Sequence, residues 1–292
     1  MGTFDGLHIG HLHVLNQLKS LAEKYEGESV ILTFWPHPRK VINSGDIGLL
    51  NSIEEKIELF ERNGIDHLII LEFTKELASL TYKEFVQHVL VGKIQVAHLI
   101  FGYDHRFGKN GEGTIDKLEP LAKQFSFKIH KLEEVRVGHA VSSTRIRHAL
   151  QYGHVEEANK MLGYPYQLSG KVVKGEQLGS KIGFPTANLD ITCTYKLIPG
   201  NGVYACRAYL NGKAWPAMMN IGYKPTVNDK KIRNIEVHLI NFKGDLYEKQ
   251  VRVELIQKIR EEVKYPSIKK LVEQLWKDRD HSLEILNTAS QS

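Results

Sequence analysis

The chain of 292 residues contains only two cysteines, Cys193 and Cys206. They lack the C-x-x-C spacing of a metal or dithiol site, and two thiols in so long a chain are no disulfide framework. A reducing, cytoplasmic setting is expected. No apolar run approaches the roughly 18 residues a membrane span needs. The longest, around Leu68–Leu71 and Leu99–Phe101, are strand-sized. No charged-then-apolar leader precedes the first motif, and Gly6 stands where N-myristoylation would require Ser or Thr, so neither secretion nor a lipid anchor is expected. Dense runs of Lys and Arg are also missing. The 39 basic and 34 acidic residues leave a net charge of +5, too mild and scattered for a dedicated nucleic-acid binder. The G-K-[ST] order of a P-loop is absent, as are internal repeats and low-complexity segments. What is there, 42% hydrophobic and 25% charged, is the composition of a globular protein at a length suited to two domains.

The two halves have different rhythms. In the first, Ser29–Phe34, His67–Glu72, Val96–Phe101 and Phe127–Leu132 read as short buried strands. Between them Leu12, Leu15, Leu18 and Leu21 recur at helical spacing, and Ser52 with Glu55 and Thr81 with Glu84 form capping boxes. Strands alternating with helices predict a parallel sheet covered on both faces, with ligands beyond the C-terminal ends of its strands. After Gly153 a helix over Val155–Leu162 leads to Gly163-Tyr164-Pro165, and then the period becomes two. Ile235, Val237 and Leu239 alternate with Glu236, His238 and Ile240, and Val251, Val253 and Leu255 alternate with Arg252 and Glu254. This predicts half-buried antiparallel strands closed into a small barrel. From Ser267 the pattern is helical again, with Ile268, Leu271, Leu275 and Trp276 on one face. The boundary is expected near Tyr164, giving an α/β domain over 1–164 and a mainly-β domain over 165–292.

The chain opens on Gly2-Thr3-Phe4-Asp5-Gly6-Leu7-His8-Ile9-Gly10-His11, which runs into the leucine-striped helix. Its glycines let the backbone approach a ligand, and the helix start offers unpaired N–H groups to phosphate. His8 and His11, three apart on one face of that turn, can donate hydrogen bonds to phosphoryl oxygens as charge builds. In Ser142-Ser143-Thr144-Arg145-Ile146-Arg147, Ser142 or Ser143 can cap a helix, and Arg145 or Arg147 offers a planar fork for phosphate. His37, between two prolines, is either a rigid turn residue or part of a site.

In the second half, Gly170-Lys171-Val172-Val173-Lys174-Gly175 leads through Gly179, Lys181 and Gly183 to Phe184-Pro185-Thr186-Ala187-Asn188. This density of glycine suggests a loop wrapped close to a ligand. By itself Pro-Thr-Ala-Asn is a common turn, but on an extended segment Thr186 and Asn188 face the same way, and both carry hard oxygen ligands suited to Mg²⁺. Glu236 lies mid-strand opposite the Ile235/Val237/Leu239 face, where a carboxylate can line an open side of the barrel. His238 shares that face, with a solvated ring as its default.

Over essentially its whole length the chain resembles the prokaryotic bifunctional riboflavin kinase/FMN adenylyltransferases, also called FAD synthetases. Besides the segments above, Thr33-Phe34-Trp35-Pro36-His37-Pro38, Phe101–Gly108, Asn220–Thr226, Asn241–Tyr247 and Ile259-Arg260-Glu261-Glu262 carry the likeness. The resemblance implies a Rossmann-like nucleotidylyltransferase domain followed by a riboflavin kinase barrel with a terminal helix. It implies small-molecule partners ATP, riboflavin, FMN and FAD, with no nucleic acid and no membrane. ATP would meet Gly2, Phe4, His8, His11, Ser143, Thr144 and Arg147 in one site, and Gly170, Lys171, Gly175, Gly183, Thr186 and Asn188 in the other. Thr186 and Asn188 would hold Mg²⁺, Glu236 would be the catalytic base, and Asp104 and Arg260 would bind flavin. In this family a strand precedes the glycine-rich loop, whereas here Met1 stands directly before Gly2. That departure implies a start upstream of Met1 or a weakened first half, and the intact motif favours the upstream start. The alternatives are a riboflavin kinase alone, its N-terminal domain inactive for want of that strand, or a flavin-binding regulatory module. Intact Thr186, Asn188 and Glu236 argue against the module, since a binder needs no base.

Overall fold

Capped amphipathic helices alternating with short apolar strands build the first of two packing units, Met1–Ile47 with Asn51–Val141. The computed structural model describes residues 1–292 apart from 43–46, 103–104, 133–135, 138, 176–178, 180–181, 225–231 and 290–292. In chain order the unit contains α1 (Ile9–Lys24), β1 (Val30–Trp35), α2 (Pro38–Ile42), α3 (Ile53–Arg62), β2 (His67–Glu72), α4 (Lys75–Ser79) and α5 (Tyr82–Phe85). A π-helical turn Val86–Val91, β3 (His98–Gly102), α6 (Ile115–Gln124), β4 (Lys128–Leu132), β5 (Arg136–Val137) and β6 (His139–Ala140) follow. Both expected capping boxes form. Ser52 Oγ accepts the Glu55 N–H at 3.2 Å while Glu55 accepts the Ser52 N–H at 3.1 Å. Thr81 and Glu84 exchange the same bonds at 3.3 and 2.8 Å.

The sheet is parallel, as expected, but the described strands form two parallel pairs, β1–β2 and β3–β4, not joined to each other. The Gly2 N–H bonds Leu32 O of β1 at 2.9 Å. Met1 packs on the cluster of Leu32, Phe85, Phe101, Phe107, Leu118 and Phe127. Each fully buried Leu or Phe there contributes about 1.5–3 kcal/mol of transfer free energy.

The second unit, Gly48–Leu50 with Ser142–Ser292, holds α7 (Ser143–Gln151), α8 (Val155–Leu162), β7 (Tyr166–Val173), β8 (Ala187–Ile191) and β9 (Gly202–Leu210). It continues with β10 (Lys213–Lys224), β11 (Ile232–Leu239), β12 (Gln250–Arg260) and α9 (Ile268–Thr288). Thus α7 and α8, which precede Tyr164, pack with the barrel. The six strands close antiparallel in the order β10-β11-β8-β7-β12-β9, with β9 returning to β10. The two-residue period explains the interior: Tyr204, Cys206, Ala208, Ala217, Met219, Val237, Val253 and Leu255 are fully buried. Alternate residues face outward, and on β9, β10 and β12 part of that outer face carries α9.

α9 corrects one expectation. Ile268 and Trp276 are 61% and 50% exposed, while Asp278 and Ser282 are buried with Leu286. Val272, Leu275 and Leu283 do pack, against Phe184, Met218 and Ile240. The polar pair is buried because Asp278 has a cationic partner on the barrel, a contact that hydrophobic spacing cannot register.

Candidate active sites

The loop before α1 is shaped by three left-handed residues, Phe4 (φ 46°), Gly6 (φ 92°) and Leu7 (φ 33°). For Phe4 and Leu7 that conformation costs on the order of 1 kcal/mol each. Burial of both side chains, with Phe4 edge-on to His11 and Phe60, offsets the strain. His8 caps α1: its Nδ1 accepts the His11 N–H at 3.4 Å, which leaves Nε2 as its donor. The two imidazoles stack with centroids 3.7 Å apart. Gly10 makes this possible, since a Cβ there would stand 3.3 Å from the His8 ring.

Burial lowers the His8 pKa to about 4. His11 is pushed well below its ordinary value by burial, and further by the neighbouring His8 and Lys56. Both rings are therefore neutral at physiological pH, and His11 Nδ1 is buried without a hydrogen-bond partner among the described residues. The cation of this site is Lys56 on α3, which sequence reading missed. It is 3% exposed, and its Nζ donates to Thr3 O at 2.8 Å. Burial lowers the Lys56 pKa, and the charge of buried Asp5 opposes that. Asp5 Oδ1 also accepts the Asn51 N–H at 3.4 Å. Neutral N–H donors beside one buried ammonium suit a polyphosphate whose charge shifts during reaction.

His37 is buried, and its Nδ1 accepts the Arg39 N–H at 3.2 Å at the start of α2, so it serves the turn. Asp104 lies outside the described residues. On α7 it is Ser142 that caps, accepting the Arg145 N–H at 3.4 Å. Ser143 and Thr144 occupy the first turn, and the Arg147 Nε–H donates to Gly48 O at 2.9 Å.

In the barrel unit the register brings the candidate residues together. Asn188 on β8 and Asn220 on β10 are the lateral partners of Glu236 on β11. All three are half-buried on the outer face, as is Thr186 two residues before Asn188. The Asn234 amide donates to Glu236 Oε1 at 2.7 Å. Two glycines of the preceding loop press on this row. A Cβ at Gly175 would overlap the Asn188 amide, and one at Gly179 would stand 3.1 Å from Thr186 Oγ1. Gly170 allows β7 to approach Asp190 O on β8, and Gly183 is left-handed (φ 84°) in the turn before Phe184. Lys171 is exposed on β7, 3.8 Å from Glu248. A third pressed glycine is Gly222, where a Cβ would overlap the Glu262 carboxylate, which in turn lies 3.5 Å from the Asn220 amide.

Hydroxyl and amide oxygens beside a cleared backbone fit a hard divalent cation shared with nucleotide phosphates. Among the described residues there is no group of three His, Cys, Asp or Glu of the kind that cages a transition metal. His238 departs from the solvated default: it is buried, its Nδ1 lies 2.8 Å from Pro185 O, and its ring lies against Phe184. It anchors the backbone just before Thr186. Arg260, at the end of β12, is held by Asp278 of α9 at 2.7–3.0 Å.

These two sites coincide with two families. A family model for FAD synthetase matches residues 1–145 and one for riboflavin kinase matches 162–286. Proteins described as bifunctional riboflavin kinase/FMN adenylyltransferase match nearly end to end. That of Bacillus subtilis is 37% identical, covering 97% of this chain and 90% of the relative. That of Listeria monocytogenes is 36% identical (95% and 88%), and that of Escherichia coli 33% (95% and 89%). A solved structure described as a macrolide-efflux protein from Streptococcus pneumoniae superposes with a TM-score of 0.89 at 29% identity, covering 97% of this chain and 92% of its own. Efflux is said of that protein alone; among the described residues here no helix is long and apolar enough to cross a membrane. With an FAD synthetase domain matched over the histidine loop as well as a kinase domain over the barrel, the kinase-only alternative gives way. The chain belongs to the bifunctional riboflavin kinase/FMN adenylyltransferase family.

Proposed function

We propose that the row Asn188–Glu236–Asn220 is the chemical centre of riboflavin phosphorylation, and that the stacked His8–His11 pair is the centre of FMN adenylylation. The chain is an enzyme of flavin cofactor synthesis that uses ATP twice, making FMN from riboflavin and FAD from FMN. In the first reaction the terminal hydroxyl of the ribityl chain attacks the γ-phosphate of ATP. Glu236 accepts the proton of that hydroxyl, while the Asn234 amide bonded to Oε1 fixes the carboxylate's orientation. Thr186 and Asn188 would hold the nucleotide with its divalent cation, which we take to be Mg²⁺ and which would supply neutralisation of phosphate charge. Gly170, Lys171, Gly175 and Gly183 line the ATP side, and Arg260 meets the flavin.

In the second reaction an FMN phosphate oxygen attacks the α-phosphate of ATP and pyrophosphate leaves. Neutral His8 and His11 donate N–H groups to the phosphoryl oxygens, with Gly2 and Phe4 lining the loop. Ser143, Thr144 and Arg147 bind ATP phosphates at the start of α7, and Asp104 contacts flavin. The functional halves are read as 1–164 and 165–292, supported by family matches at 1–145 and 162–286. A cytoplasmic setting is supported by two unpaired cysteines.

The observation that carries the kinase assignment is the register that sets Glu236 beside Asn188. Incubation with riboflavin, ATP and Mg²⁺, followed by chromatography of the flavins, is expected to yield FMN and then FAD. Recovery of riboflavin unchanged would sink the assignment.

A further inference from the structure

We propose that Asp278 is a positioning residue of the kinase site, holding the Arg260 guanidinium where the flavin meets it. This rests on the reading of Arg260 as a flavin contact. Asp278 is 1% exposed at the middle of a 21-residue helix, where an unpaired carboxylate would be strongly disfavoured. On its own helix one bond holds its carboxylate and another its main chain. The Gln274 amide, one turn earlier, donates to Asp278 Oδ1 at 2.9 Å, and the Ser282 hydroxyl, one turn later, donates to Asp278 O at 2.7 Å.

Against this fixed carboxylate lies Arg260. Its Nε–H reaches Oδ1 and Oδ2 at 3.0 Å each, and Nη2 reaches Oδ2 at 2.7 Å. Nη1 donates to Glu261 O at 2.9 Å. Of about five N–H donors in the fork, these bonds engage three. The side chain is 20% exposed, so one edge of the plane stays at the surface. The ladder register shifts just before Arg260, between Lys258 and Arg260, and such irregularities re-aim a side chain. A simple clamp between barrel and helix would need only opposite charges. A planar fork gripped along one edge is instead a group whose orientation matters.

The test is steady-state kinetics of the full chain with riboflavin and ATP varied separately. Asp278→Asn is expected to raise the riboflavin KM about tenfold, leaving the ATP KM within about twofold. FAD formation from supplied FMN should be unchanged. Because Asp278→Asn strips the Arg260 cation of its charged partner and can fail to fold, Gln274→Met is the second variant. It loosens the carboxylate without removing a charge, and an increase in riboflavin KM of about threefold is expected. Arg260→Ala sets the reference. If that variant keeps the parental riboflavin KM, the flavin role of Arg260 fails and this proposal with it. If Arg260→Ala raises KM while Asp278→Asn and Gln274→Met do not, the positioning role is overturned and the Arg260 reading stands. If Asp278→Asn adds a further loss on top of Arg260→Ala, Asp278 acts by another route and the proposal is likewise overturned.

Discussion

Asn188 and Glu236 stand directly opposite each other on neighbouring antiparallel strands, β8 and β11, with both side chains on the outer face of the barrel. Opposed residues of such a pair have Cβ atoms about 4.5–5.5 Å apart. On the proposed reading, an amide oxygen for a phosphate-bound cation and a carboxylate for an attacking alcohol would fit within the span of one phosphoryl group. The strand pairing, set by buried Ala187 and Val237 pointing inward, fixes this spacing.

Glu236→Gln keeps the shape and the strand but removes the proton acceptor. FMN formation from riboflavin is expected to fall by about 10²–10⁴-fold. FAD formation from supplied FMN should continue at the parental rate. Chromatography of flavins from the two separate assays checks this, and loss of both activities would mean the sites are not independent.

His11→Ala should have the opposite pattern. FAD synthesis falls on the order of 10²-fold, as for removal of one donor to a developing oxyanion. Riboflavin phosphorylation remains. A variant that still makes FAD at the parental rate removes His11 from the chemistry.

Acid should destabilise the first packing unit. The His8 pKa falls from an ordinary value near 6.5 to about 4 through burial. The unfolded chain therefore binds more protons between those values. The contribution is fully present above about 6.5 and is lost as pH falls toward about 4, reaching about 3 kcal/mol from His8 alone. Melting followed from pH 7.5 to 4.5 should show this decline, and His8→Asn should make it shallower. A parental curve indifferent to pH would contradict the burial of the ring.

Gly175→Ala places a methyl group where the Asn188 amide lies. The amide is the movable partner, so the fold survives and the amide turns away. The kinase KM for ATP is expected to rise about tenfold, with adenylylation unaffected. Unchanged ATP dependence would mean that Asn188 does not face the nucleotide.

Some of this was legible in the sequence because the signals are local. The capping boxes Ser52/Glu55 and Thr81/Glu84 and the span of α8 follow from chemistry within a few residues. The alternation Ile235/Val237/Leu239 puts Glu236 on the outer face without reference to any partner strand. What escaped notice depends on distant partners. Lys56 lies in an amphipathic helix, where a lysine ordinarily snorkels to water; among the described residues the carbonyl of Thr3 and the charge of Asp5 compensate its burial. Asp278 and Ser282 occupy the buried stripe of α9, which the positions of Ile268 and Trp276 obscured. The alternation likewise gives a solvated His238, because its partner, Pro185 O, is 53 residues away.

Closure of the barrel also has a consequence for self-association. Each of its six strands has a hydrogen-bonded neighbour on both sides, the β8–β11 seam being the shortest at two residues a side, so among the described residues the barrel has no free edge strand to offer an incoming chain. The described parallel strands of the other half come only in twos, and apart from Leu32 O of β1, which accepts the Gly2 N–H, their outer flanks are where a ladder could be extended. When the protein is warmed or concentrated, clumping should therefore nucleate in the adenylylating half, leaving riboflavin phosphorylation as the longer-lived activity.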